Sequence, residues 1–221
     1  MSLDSSLDLS LYLVTDTALA TAAGHPILTV VREAVAGGVT VVQLREKNAT
    51  AREFLDLVCR VADAVPDEVA VIVNDRVDVF LAARRLGASV SGMHLGQSDL
   101  PPALARELIG PDAVLGLSAS TTAQLLEAEN DPGAVDYVGI GALHATTTKT
   151  DAPRPLGIEA FAALAASTRL PAVAIGGIGR ADIAPLRRAG AAGAAVVSAI
   201  CSAPSPGDAA RELASEWRSA R

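Results

Sequence analysis

Polar residues able to do chemistry stand in this sequence just after short apolar runs. Asn74-Asp75-Arg76 follows the run Val69–Val73, and Gln97-Ser98-Asp99 follows Val90–Leu95. Carboxylates ending neighbouring strands face one small space. There Asp75 and Asp99 suit one Mg2+ completed by substrate phosphate oxygens, the arrangement for a magnesium diphosphate rather than for a permanent metal cage. Each aspartate also suits a helix cap: Asp78 stands three residues after Asp75, and Asp99 just precedes Pro101. Arg45 and Lys47, two residues apart, share one face of an extended chain. With Lys149 and the hydroxyls of Thr146, Thr147 and Thr148 they make a site for a polyanionic leaving group. Glu46 points the other way and reads as a structural partner.

Ser118 and Ser198 each close an apolar run, and Gly176-Gly177 closes another, with Gly179 close behind. Bare glycines let backbone amides approach an anion, so a phosphate near Gly177 and Ser198 is expected; the same pair also serves as a tight turn. The three histidines lack metal-ligand spacing, which disfavours zinc. His94, ending a run near Gln97, reads first as a hydrogen-bonded structural group and second as an acid or base. His25 is expected at the surface and His144 in the loop before the threonines. Cys59 reads as core and Cys201 has no activating neighbour, so thiol catalysis is unsupported.

Positioning these groups requires a repeated strand and helix. Apolar, β-branched runs at Leu11–Thr15, Val39–Leu44, Val69–Val73, Val90–Leu95, Ala113–Leu117, Asp136–Ile140, Ala172–Ile175 and Gly193–Val197 read as strands. Helical periodicity follows each, starting near Pro26, Thr50, Arg76, Pro101, Thr121, Gly157, Arg180 and Pro206, with glycines at 37, 38, 87, 110 and 190 where helices should stop. Eight such pairs point to a single-domain α/β chain, a (β/α)8 barrel over residues 1–221 with 1–10 as an N-terminal extension. A doubly wound open sheet shares this periodicity. In the barrel, active sites gather at the C-terminal ends of the strands, where the polar clusters fall.

Composition describes a folded globular chain. Half of the 221 residues are apolar but only 3% are aromatic, so short and β-branched side chains must fill the core, as under a buried parallel sheet. A net charge of −7 argues against coating nucleic acid. Apolar runs broken well short of membrane length argue against a membrane span. The two cysteines fit a reducing cytoplasm, and a homodimer is compatible with the sequence although no surface stripe compels one.

The ordered set Gln43-Leu44-Arg45-Glu46-Lys47, Val73-Asn74-Asp75-Arg76, His94 to Asp99, Gly116-Leu117-Ser118, Thr146 to Lys149 and Ile175-Gly176-Gly177-Ile178 resembles the thiamine phosphate synthase family. The resemblance runs from Tyr12-Leu13-Val14-Thr15-Asp16 to Val197-Ser198-Ala199-Ile200. It implies a TIM barrel that couples an aminopyrimidine diphosphate with a phosphorylated thiazole, Mg2+ as cofactor, and phosphorylated small molecules as partners. Carried over, it implies that Gln43, Leu44, Arg45, Glu46, Lys47, Asn74, Ser118 and Lys149 hold the pyrimidine diphosphate, with Arg45, Ser118 and Lys149 catalytic. Asp75 and Asp99 would bind the metal, and Thr146, Thr147, Thr148, Gly177, Val197 and Ser198 the thiazole phosphate. The chain departs from the family pattern around Gly87–His94, where the fourth strand should start differently, and in Gly141–Thr146, which lacks a proline and an aromatic residue. The alternatives are a thiazole tautomerase of related fold, which needs no diphosphate-binding metal site, a phosphosugar isomerase or epimerase, which needs an acid/base pair not found here, and a noncatalytic thiamine phosphate sensor.

Overall fold

Each apolar run becomes a strand in the computed structural model, which describes residues 7–145 and 155–220. The strands are β1 (Leu11–Val14), β2 (Val41–Leu44), β3 (Ala70–Asn74), β4 (Gly92–Leu95), β5 (Val114–Ser118), β6 (Tyr137–Gly141), β7 (Ala172–Ile175) and β8 (Gly193–Val196). All pair in parallel with their sequence neighbours, and β8 returns to β1, so the sheet closes and the open-sheet alternative is excluded. The helices are α1 (Thr17–Ala22), α2 (Ile27–Gly37), α3 (Ala51–Ala62), α4 (Val77–Arg85), α5 (Pro102–Ile109), α6 (Thr122–Asn130), α7 (Gly157–Ala166), α8 (Arg180–Arg188), α9 (Ser198–Cys201) and α10 (Pro206–Ser219). The architecture is the (β/α)8 or TIM barrel.

Local chemistry sets the element ends. Thr50 caps α3 through a reciprocal box, its side chain accepting from Glu53 N while Glu53 accepts from Thr50 N at 2.8 Å. β2 starts at Val41, later than the apolar run, because Val39 N still bonds Ala34 O at 3.1 Å in the closing turn of α2. β4 likewise starts at Gly92 rather than Val90, since Val90 N turns back to Ala88 O at 2.9 Å. Its functional end is unaffected, with Asn74 paired to His94. Two short helices, α1 and α9, were not expected: six and four residues are too few to print a helical period. Within the expected extension 1–10, Leu9 is buried, and Ser10 O accepts from Ala194 N at 3.1 Å, so the barrel begins before β1.

Strand alternation divides the core in two. Outward residues such as Leu13, Val42, Val73, Leu95, Leu117, Ile140 and Val196 pack under the helices with Phe54, Phe80 and Phe161, all buried. Truncating one of these rings to alanine costs about 3–5 kcal/mol. Inward residues form a separate small cluster of Leu9, Tyr12, Val14, Val41, Ile72, Tyr137, Val173 and Ala195. Trp217 packs α10 in place, with the Arg187 guanidinium 5.6 Å from its ring centroid. Among the described residues, no helix is long and apolar enough to cross a membrane.

Candidate active site

At the C-terminal end of β3 the chain makes a sharp reversal at Asp75, which sits in the left-handed region with φ 59. Arg76 N closes onto Asn74 O at 2.7 Å across it, a three-residue turn whose strain a non-glycine residue tolerates only when its surroundings hold it there. Asp75 is not a helix cap: α4 is capped at Arg76 without a side-chain bond, and the Arg76 guanidinium is engaged by Asp78. Asp99 is not one either, since α5 is capped at Pro101 and Asp99 Oδ2 instead accepts from Gly96 N at 2.6 Å. Both cap alternatives therefore fail.

The two carboxyls lie against each other. Asp75 keeps an exposed edge at the mouth, yet partial withdrawal from water and then the Asp99 carboxyl push its pKa up to about 6; the Arg45 guanidinium and the Asn74 amide pull the other way. Two like charges at contact are unfavourable without a cation between them, and hard oxygen donors suit a divalent ion of the magnesium type. The residues present thus fit such an ion.

Around this pair, Arg45 is half-buried and its backbone N–H donates to Thr15 Oγ1 at 3.1 Å, which fixes the end of β2. Lys47 is exposed beyond it. Glu46 accepts a hydrogen bond from the Thr17 hydroxyl, so its partner is α1. Leu44 is fully buried on the helix side, which leaves only its backbone near the mouth. Gln43 faces the barrel interior, 4% exposed, with Nε2 donating to Tyr12 Oη at 2.7 Å. Ser118 ends β5: its carbonyl accepts from Gln97 Nε2 at 2.6 Å, and its Oγ lies 3.0 Å from His94 Nε2. His94 is the hydrogen-bonded group first expected.

Across the mouth, Gly176 (φ 104) and Gly177 (φ 65) both need the left-handed region. A Cβ on Gly177 would fall 2.9 Å from His144 Cβ, and one on Gly176 would fall 2.6 Å from Ala142 Cα. The pair is a tight turn and also a bare backbone surface. Val197 caps α9 and exposed Ser198 opens it, directly after β8, the strand that neighbours β7. Thr146, Thr147, Thr148 and Lys149 lie outside the described residues. Sequence reasoning missed Asp182, whose Oδ1 lies 2.8 Å from His144 Nε2 and whose Oδ2 accepts from Gly179 N at 2.9 Å. It ties the loops after β6 and β7 together, and its capping-box distance from Gly179 was the available signal. His25 is half-buried rather than at the surface. Burial pushes the Cys201 thiol up to about 11, the reverse of an activated nucleophile.

The family model described as thiamine monophosphate synthase matches residues 11–200. The chain belongs to that family. It is 48% identical to the thiamine-phosphate synthase of Azorhizobium caulinodans over 93% of each chain. It is 47% identical to that of Vibrio campbellii over 92% of this chain and 95% of the relative. The solved thiamine phosphate pyrophosphorylase from Pyrococcus furiosus superposes with a TM-score of 0.84 at 34% identity, covering 96% of both chains. A 3-hexulose-6-phosphate synthase, TM-score 0.69 at 19% identity over 94% of this chain and 99% of that one, shares the barrel alone. As a member of the thiamine monophosphate synthase family, the chain is a transferase of thiamine biosynthesis.

Proposed function

We propose that the chain joins 4-amino-2-methyl-5-hydroxymethylpyrimidine diphosphate to 4-methyl-5-(2-phosphoethyl)thiazole, in its free or carboxylated form, giving thiamine phosphate and pyrophosphate. The observation that carries this reading, beside family membership, is the Asp75–Asp99 carboxyl contact with Arg45 and Asn74 around it. Mg2+ held by Asp75 and Asp99 would supply Lewis-acid stabilisation to the diphosphate oxygens.

The protein's own groups do the rest. Arg45, Lys47 and Lys149 stabilise the charge the diphosphate gains as the bond between the pyrimidine methylene and the leaving oxygen breaks. The bonding pair leaves with that oxygen. The electron-rich ring carries the resulting positive charge, so bond breaking precedes attack. The thiazole nitrogen then supplies the pair for the new C–N bond, and the carboxylated form also loses CO2. Asn74 and Ser118 hydrogen-bond the pyrimidine diphosphate, Gln43 lines the space beneath it, and Glu46 and Leu44 keep the end of β2 in place. Gly177, Val197, Ser198 and the threonines 146–148 hold the thiazole phosphate and so aim its nitrogen. No protein nucleophile takes part. The reaction is cytoplasmic, and its partners are phosphorylated small molecules rather than nucleic acid or membrane.

The test is to mix the purified protein with both substrates and Mg2+ and follow pyrophosphate and thiamine phosphate together. Equal amounts of the two products, with neither formed when the thiazole or the metal is omitted, are expected. Thiazole phosphate binding without either product would instead support the tautomerase or the sensor.

A further inference from the structure

Beneath the mouth, the barrel interior holds a hydrogen-bonded column. Gln43 Nε2 donates to Tyr12 Oη at 2.7 Å, and the Tyr12 and Tyr137 hydroxyls are 2.7 Å apart. Tyr137 Oη is 3.0 Å from His94 Nδ1, and His94 Nε2 is 3.0 Å from Ser118 Oγ. The five side chains come from five strands, and both phenols are 1% exposed. The backbone leaves room for them: a Cβ on Gly116 would fall 2.2 Å from the Tyr137 ring and 2.5 Å from His94 Nδ1. Burial raises both phenols above their ordinary range, so both keep their hydrogens.

We propose that this column is a one-way hydrogen-bond relay, Gln43 to Tyr12 to Tyr137 to His94 to Ser118, which fixes the Ser118 hydroxyl as a donor toward the pyrimidine diphosphate. It deepens the function proposed above and rests on Ser118 touching that substrate. Each phenol has one hydrogen. Gln43 Nε2 donates to the Tyr12 oxygen, so within the column Tyr137 Oη is the acceptor left for the Tyr12 hydrogen, and His94 Nδ1 the acceptor left for the Tyr137 hydrogen. An accepting Nδ1 puts the imidazole hydrogen on Nε2, and Nε2–H donates to Ser118 Oγ. The serine hydrogen is then left for the substrate. The opposite polarity would turn that hydrogen down onto Nε2 and present an oxygen lone pair to a polyanion, which is repulsive. No proton moves along the column; Tyr12, Tyr137 and His94 are positioning residues.

The first readout needs no substitution in the column. In wild-type protein labelled with 15N-histidine at pH 8, with signals assigned through His25→Gln and His144→Gln, two-bond 1H–15N spectra are expected to show His94 protonated on Nε2 alone. Protonation on Nδ1, or on both nitrogens, overturns the relay. The second readout is kinetic. Tyr137→Phe is expected to lower kcat about tenfold, the worth of one well-placed hydrogen bond, with the thiazole phosphate KM unchanged. Tyr12→Phe should do the same to a smaller extent. In a Ser118→Ala background, Tyr137→Phe should cost less than about twofold, because the two act through one contact. A full additional tenfold loss there overturns the relay. A Ser118→Ala enzyme of full activity overturns the Ser118 contact itself, and the relay's purpose with it; the wrong tautomer beside a crippled Ser118→Ala enzyme overturns the relay alone.

Discussion

From β2 to β5 the barrel mouth is made of side chains that check one another. Asp75 faces Asp99, Arg45 and Asn74 lean on Asp75, Gln97 holds the Ser118 carbonyl, and His94 holds its hydroxyl. From β7 to β8 the described surface is made of backbone: Gly176, Gly177 and the start of α9 at Ser198, with Asp182 bracing the loops from behind. The difference suits the two tasks that the proposed function sets. A leaving diphosphate gains charge during the reaction and needs fixed opposite charges that act most strongly in the transition state. A phosphate that only anchors its molecule keeps the same charge throughout, and amides serve it without the desolvation cost of buried cations.

If the arcs divide the labour in this way, substitutions on one should leave the other's substrate alone. Asp75→Asn/Asp99→Asn is expected to lower pyrophosphate release by ~10^3-fold or more in a folded protein, since it removes the two carboxylates proposed to hold Mg2+ at the diphosphate. Arg45→Ala should lower kcat/KM by ~10^2-fold, and Arg45→Lys should restore little of it, because a point charge does not reproduce a two-pronged guanidinium contact. Steady-state kinetics with each substrate varied checks both. Gly177→Ala should raise the thiazole phosphate KM about tenfold while leaving that of the pyrimidine diphosphate unchanged, since a Cβ there meets His144 Cβ at 2.9 Å in a left-handed backbone. An equal rise in both would erase the distinction between the arcs. The smallest effect is on stability: in EDTA, Asp75→Asn should melt a few degrees above the wild type because like charges no longer face each other. Added Mg2+ should raise the wild-type melting temperature and leave the double variant's unmoved.

The barrel was legible because parallel strands buried on both faces print as continuous β-branched runs, and all eight lie within two residues of where those runs fall. The polar clusters after them marked Asp75 and Asp99, which the structure brings into contact. The sequence could not decide between cap and metal ligand for those two residues, since helix-start spacing fits either. The turn at Asp75 and the Asp99 bond to Gly96 N decide against the caps. The interior column was not legible. Tyr12, Gln43, His94 and Tyr137 lie on separate strands, and only closure of the sheet brings their hydroxyls, amide and imidazole together. Strand alternation marks such residues as inward-facing but does not name their partners. The low aromatic content of 3% was a hint in hindsight: a barrel that uses so few rings places two tyrosines side by side in its small interior.

The division of the mouth into a charge-handling arc and an anchoring arc is tested most directly on one preparation of Asp75→Asn/Asp99→Asn, by measuring pyrophosphate release and thiazole phosphate affinity side by side. Release falling by ~10^3-fold with the dissociation constant within about twofold of wild type is the predicted result. Release that survives, or affinity that falls in step with it, would contradict the account.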